Sequence, residues 1–281
     1  MTTKEVCNAV ISGIKDYFKK NNFRSAVIGL SGGIDSSVAC CLAAKALGNN
    51  NVTALLMPED GVTSKESIED AKALAKKLGI KRYLLEIDAI NDTIKKISVL
   101  DGNFFAKAGK FIYAQANLKA RTRMMLLYYF ANLNNSLVIG TSDKSEIALG
   151  YTTKYGDNAA DILIIGDLWK TEVIEMGKFL GIPSSILGKE PSAELIPGQT
   201  AKKELGADYE VLDEILNMYI EDGLSVQEII RRGFKEKIVK SAAQRIRLNE
   251  HKRRSPMLIR LSECSFHGME WRMPVTNKFK E

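Results

Sequence analysis

Apolar residues along this chain switch between helical and strand spacing in a regular order. Val6, Val10, Ile14, Tyr17 and Phe18 fall roughly along one face of residues 4–20, which predicts an amphipathic helix. AVIGL at 26–30 is a short continuous apolar run of the buried-strand kind. Ser36 to Leu47 is rich in Ala, Cys and Leu and stops at Gly48, a typical helix end. VTALLMP (52–58) reads as a second strand. SKESIEDAKALAKKLGI follows as a helix, with Ser64 and Ser67 as candidate caps and Gly79 closing it. RYLLEI (82–87) is a third strand. Further on, Tyr113–Leu133 predicts a long helix, SLVIGT (136–141) a strand, and Thr171–Leu180 a helix ended by Gly181.

Strands alternating with helices at this spacing predict an α/β fold: a doubly wound, mostly parallel sheet with helices on both faces. Right-handed crossovers are expected with it. No internal repeat and no convincing linker breaks the pattern, so one domain is favoured. Two stretches stand apart. MMLLYYF (124–130) is apolar all round within its helix and must be covered on every side. It is either a central core helix or one shared with a second subunit. Lys189–Gly206 is polar, holds two prolines and two glycines, and reads as a long loop of the kind that is often functional.

Composition narrows the picture modestly. The chain has 281 residues, 45% hydrophobic and 26% charged, as in ordinary soluble proteins. No run approaches a membrane span, and the N-terminus lacks a signal-peptide core, so a cytoplasmic location without membrane association is the default expectation. Cys7, Cys40, Cys41 and Cys264 form no CxxC pair, which argues for free thiols rather than a zinc site or disulfide framework. The only histidines are His251 and His267, which leaves little scope for histidine catalysis. A net charge of +6 suits a phosphate-rich substrate as well as nucleic acid, and does not decide between them.

The chemistry concentrates at Ser31–Ser37, SGGIDSS, between a predicted strand and a predicted helix. Gly32 and Gly33 permit positive φ and close backbone approach, the helix start adds N–H donors and a positive dipole end, and Ser31, Ser36 and Ser37 add hydroxyls. Together these make a phosphate cradle. Asp35 would repel bare phosphate and makes sense as a ligand of a bridging Mg²⁺. Walker A fails because no lysine follows Gly33, and Ala108-Gly109-Lys110 lacks the upstream glycine spacing. The GxGxxG fingerprint is absent.

SGGIDSS resembles the loop of the pyrophosphate-loop ATP pyrophosphatases, which cleave ATP between the α- and β-phosphates. Four further strings, NLKARTRM (117–124), GTSDKSEIALGYTTKYGDNAADILIIGDLWKTEV (140–173), PSAELIPGQT (191–200) and NEHKRRSP (249–256), are similar to the NAD synthetase family in order and spacing. The likeness runs from about residue 5 to 257. It implies an adenine nucleotide alpha-hydrolase-like fold over 1–257, with 258–281 as an extension of unassigned role. It also implies that Gly29, Leu30, Ser31, Gly32, Gly33, Ile34, Asp35 and Ser36 hold ATP phosphates, with Thr141, Lys170 and Ser192 as further ATP contacts. Asp35 and Glu146 would be the Mg²⁺ ligands, and Asp35 and Lys170 the catalytic pair. Arg121, Lys154, Asp161, His251 and Lys252 would bind deamido-NAD.

The implied reaction has two steps. The nicotinate carboxylate of deamido-NAD attacks the α-phosphorus of ATP, and ammonia then attacks the acyl-adenylate to give NAD and AMP. The protein's share is positioning and charge neutralisation. Glutamine-dependent relatives carry an added amidase domain, so free ammonia is the expected nitrogen source here. The resemblance also implies a homodimer with the dinucleotide site near its interface. Ser192 departs mildly from the commoner Thr. Glu59 and Asp60 stand where basic or neutral residues often contact ATP. A tRNA-modifying ATP pyrophosphatase is the rival enzyme, although no RNA-binding module is visible; a nucleotide-binding regulator without activity is the rival of another class.

Overall fold

The first helix begins where the chain satisfies its own orphan donors: the Thr2 hydroxyl accepts the Glu5 N–H while the Glu5 carboxylate takes the Thr2 N–H. That helix is α1 (Thr3–Lys20), and β1 (Ser25–Gly29) follows. Next come α2 (Ile34–Leu47), a 3₁₀ turn at Asn49–Asn51, and β2 (Val52–Leu56). Helix α3 (Lys65–Leu78) is capped by the Ser64 hydroxyl and ends at Gly79 in the left-handed region, as expected. The chain continues through β3 (Lys81–Leu84), α4 (Asp88–Val99), α5 (Ala108–Asn134), β4 (Ser136–Gly140), α6 (Lys144–Leu149), β5 (Ile162–Leu163), α7 (Lys170–Phe179) and α8 (Ser184–Leu187). It closes with α9 (Ala201–Leu205), α10 (Tyr209–Ile220), α11 (Val226–Arg231), α12 (Glu236–Leu248) and α13 (Glu250–Arg253). This computed structural model describes residues 1–99, 108–192, 194–196, 198–254 and 256–264. His267 and most of 258–281 lie outside the described residues.

All strand pairs are parallel, in the order β3-β2-β1-β4-β5. Ala26 and Ile28 enter the core shared with α1, α2, α3 and α7, whereas Val27 between them enters the core shared with α5. The sheet is therefore covered on both faces, because strand side chains alternate with period two. A third apolar cluster unites α6 with α9, α10, α11 and α12 beyond the sheet.

Two expectations need revision. RYLLEI leaves strand geometry after Leu84, although the Leu85 N–H still reaches Leu56 O at 2.8 Å. The stretch Lys189–Gly206 is not loop throughout, since Thr200 caps the short helix α9 by accepting the Lys203 N–H. On α5, Leu126, Leu127, Tyr128 and Phe130 pack toward the sheet. Met125, Tyr129 and Leu133, four residues apart, stay exposed, so one chain does not cover this helix all round.

Candidate active site

Parallel strands bring all their C-terminal ends to one edge of the sheet, and the winding direction reverses between β1 and β4. Crevices form outside such a switch point. Here the crevice is a cavity of about 750 Å³.

Its wall below β1 is the glycine–serine loop. Gly32 turns with φ of 85° so close to α3 that a Cβ would lie 2.1 Å from the Ser67 carbonyl oxygen. Only glycine fits there. The serines organise the loop: Ser31 Oγ accepts the Gly33 N–H at 3.2 Å and lies 3.0 Å from Ser36 Oγ. The Ser37 hydroxyl donates to Gly33 O at 2.7 Å. No side chain caps α2, so its first turn presents N–H groups and the positive dipole end toward an anion.

Beside the loop stands a cluster of charges. Lys170 Nζ lies 2.7 Å from Asp35 Oδ2, 2.8 Å from Asp143 Oδ2 and 3.1 Å from Glu146 Oε1. Burial alone would lower the Lys170 ammonium, but Asp35, Glu146 and Asp143 together raise it well above its ordinary value. Desolvation and the crowding of like charges likewise push the Glu146 carboxyl well above the carboxylate range, against the pull of Lys170. One ammonium thus faces three carboxylates, whose ligand oxygens lie within 4.8 Å of one another. Asp35 Oδ1 is buried and has no hydrogen-bond partner. Hard oxygens, excess negative charge and an orphaned buried oxygen are what a Mg²⁺ site requires, so the residues fit that ion.

The site residues expected from sequence divide into two groups. Gly29, Leu30, Ser31, Gly33, Asp35 and Ser36 line the cavity, and so do Thr141, Glu146, Ser192 and Lys252. Lys252 also ties the neighbouring chain together, donating to Gly150 O at 2.6 Å and Thr152 O at 2.7 Å. Lys170 stands behind Asp35 and Glu146, and the Ile34 side chain enters the core. The second group is not brought to the cavity walls. Exposed Arg121 donates to Lys154 O at 3.3 Å, the Lys154 ammonium lies over the Tyr155 ring, and His251 is exposed on α13. The Asp161 carboxylate accepts the Val138 N–H at 2.7 Å, extending the hydrogen bonding of β4, while its carbonyl accepts the Tyr17 hydroxyl at 2.9 Å.

Other residues join the site without having been singled out by sequence. Asp143 is one; as the first residue of a D-x-x-E pattern it reads simply as a helix cap, which it also is. Arg123 is another: its Nε donates to Met57 O at 3.0 Å and it lines the cavity where Arg121 does not. Its position two residues from Arg121 places it on a different helical face, and sequence alone does not say which face meets the cavity. Glu59 pairs with buried Lys119 at 2.6 Å and so does not confront a nucleotide; Met57, Pro58 and Thr63 line the cavity instead. The segment after α8 reaches the loop from above. Lys189 Nζ contacts Asp70 at 2.6 Å and Gly32 O at 3.2 Å, and the Ser67 hydroxyl donates to Glu194 at 2.8 Å.

A doubly wound parallel sheet with a glycine–serine loop and carboxylates at its switch point defines a phosphate-binding α/β nucleotide protein. The NAD synthase family model matches residues 6–256, and the chain belongs to that family. The glutamine-dependent NAD(+) synthetase of Thermotoga maritima is 43% identical over 99% of this chain and 48% of its own length. The chain thus spans about half the length of that relative. The NH(3)-dependent NAD(+) synthetase of Staphylothermus marinus is 42% identical over 91% of this chain and 94% of its own. Among solved structures, NMN synthetase from Francisella tularensis superposes with a TM-score of 0.80 at 33% identity, covering 93% of this chain and all of that one. No helix among the described residues is long and apolar enough to cross a membrane.

Proposed function

We propose that this chain amidates deamido-NAD with ammonia at the expense of ATP, releasing NAD, AMP and pyrophosphate through an acyl-adenylate. One observation carries the reading: the glycine–serine loop and the Asp35–Glu146 pair share a single cavity in a member of the NAD synthase family. The loop N–H groups and the α2 dipole would hold the ATP phosphates, with Thr141 and Ser192 completing the nucleotide contacts. Asp35 and Glu146 would hold Mg²⁺, which supplies charge neutralisation at the phosphates when bound. Lys170 adds a fixed positive charge beside them. Arg123 and Lys252 offer cations to the acceptor's phosphate and carboxylate. The remaining work is positioning two anionic substrates against each other and excluding water.

Arg121, Lys154 and His251 would meet the far half of a dinucleotide beyond the cavity, and Asp161 would shape that margin through β4. In the same reading, residues 1–257 form one catalytic unit, the setting is cytoplasmic, and two copies pair through the outward face of α5. A second acceptor, the nicotinate mononucleotide that corresponds to deamido-NAD, belongs in the assay, because the similar Francisella tularensis structure is that of an NMN synthetase.

The test is product analysis with ATP, Mg²⁺ and either acceptor, supplied with ammonium or glutamine. Equal amounts of NAD, AMP and pyrophosphate from deamido-NAD and ammonium are expected. No release of AMP would reject the reading, preference for the mononucleotide would change the substrate, and efficient turnover on glutamine by this chain would change the nitrogen donor.

A further inference from the structure

An ammonium has three N–H donors, and Lys170 has three carboxylate neighbours that are not equivalent. Asp35 and Glu146 line the cavity and are 22% and 20% exposed, whereas Asp143 is fully buried and away from the cavity wall. Asp143 is also bound to the fold by its other oxygen, which accepts the Glu146 N–H at 2.8 Å at the head of α6. Lys170 is anchored at its backbone: its N–H donates to Ser145 Oγ at 2.9 Å, and that hydroxyl donates to Asp213 at 2.5 Å. The lysine and Asp143 therefore belong to one rigid junction of α6, α7 and α10.

The ammonium donates to Asp35 at 2.7 Å and to Glu146 at 3.1 Å, whereas Asp143 Oδ2 stands 2.8 Å away as an ion-pair partner that accepts no hydrogen bond, so Asp143 holds the ammonium by its charge. If Asp35 and Glu146 turn to a divalent cation, the two N–H groups that now bond them are released on the side of the ammonium nearest the cavity-lining carboxylates. A buried ammonium stripped of every anion is strongly disfavoured, so one counter-ion must stay. Asp143 is the member of the set that does not face the cavity.

We propose that Asp143 is a positioning residue: the standing counter-ion of Lys170, which holds the ammonium directly behind Asp35 and Glu146 while those two engage the metal. This rests on the assignment of ATP and a divalent cation to the cavity.

Asp143→Asn tests it, because asparagine still caps α6 while the charge is lost. The metal-free melting temperature should stay level or rise, since one of three crowded carboxylates has been removed. Affinity for non-cleavable α,β-methylene-ATP with Mg²⁺, read by calorimetry, should fall by about tenfold or more, as when a desolvated charge pair loses one member. In a Lys170→Met background the same change should alter affinity by less than about threefold, because the partner is already gone.

Additive losses would make Asp143 a metal ligand in its own right and overturn the proposal. Unchanged affinity in the single variant, or a melting temperature that falls in step with affinity, would overturn it too. Wild-type protein in the same titration separates the two levels: if it fails to bind the analogue, the assignment of the cavity to ATP is what fails.

Discussion

Asp161 shows how one side chain can carry a motif and a structural duty together. Its carboxylate accepts the Val138 N–H on the β5 side of β4, where a short strand leaves the backbone under-paired. Asp161→Ala strands that buried donor, and unfolding free energy should drop by about 1–3 kcal/mol, measurable by urea denaturation. A rise in KM with unchanged stability would instead place its role with the substrate. Asp35 was legible from residue type, since an acid inside a phosphate loop has little purpose without a metal, whereas Glu146 was reached only through the family resemblance. Arg123 and Asp143 were reached by neither route. Their significance depends on which way a helix face turns and on a lysine 27 positions away in the chain, neither of which local pattern encodes.

At the level of elements, the phosphate loop works because α3 packs against it. Gly32→Ala would push a Cβ to 2.1 Å from Ser67 O at a φ of 85°, so the loop must move away from α3. Loss of detectable ATP binding by calorimetry is the expected outcome, with a fall in stability of about 1–3 kcal/mol. Helix α5 poses the opposite problem, an element with more apolar surface than its own chain covers. Met125, Tyr129 and Leu133 form its outward stripe, and Tyr83 on edge strand β3 lies beside it, in ring contact with Phe130 at 5.8 Å. Tyr129→Glu, being 65% exposed, should leave folding intact and turn a dimer into a monomer in sedimentation. A monomeric wild type would remove the basis for pairing through this face. The run MMLLYYF announced the surplus of apolar surface, but a run cannot say which residues of a helix the sheet consumes.

For the whole molecule, the cavity is the joint product of strand order and loop placement. A ligand that binds only the folded state stabilises it by mass action, and at a hundred times its Kd the gain is about 2.7 kcal/mol. ATP with Mg²⁺ should therefore raise the melting temperature by several degrees, and chelating the metal should abolish most of the shift. A shift equally large without metal would argue against Asp35 and Glu146 as its ligands.

The sequence by itself determined the α/β class, the positions of four strands and five helices, the glycine–serine loop and the family likeness, because periodicity and motifs are properties of neighbours along the chain. Short elements such as β5 escaped it, since two residues carry no period. Only the tertiary structure decided that Asp35 meets Lys170 across 135 positions, that Asp143 stands behind them, and that Arg121, Lys154 and His251 lie off the cavity walls. Those facts depend on how the crossovers wind about the sheet. Charge clusters of this kind are made by long-range packing, where burial strengthens each interaction and no local rule fixes the partner.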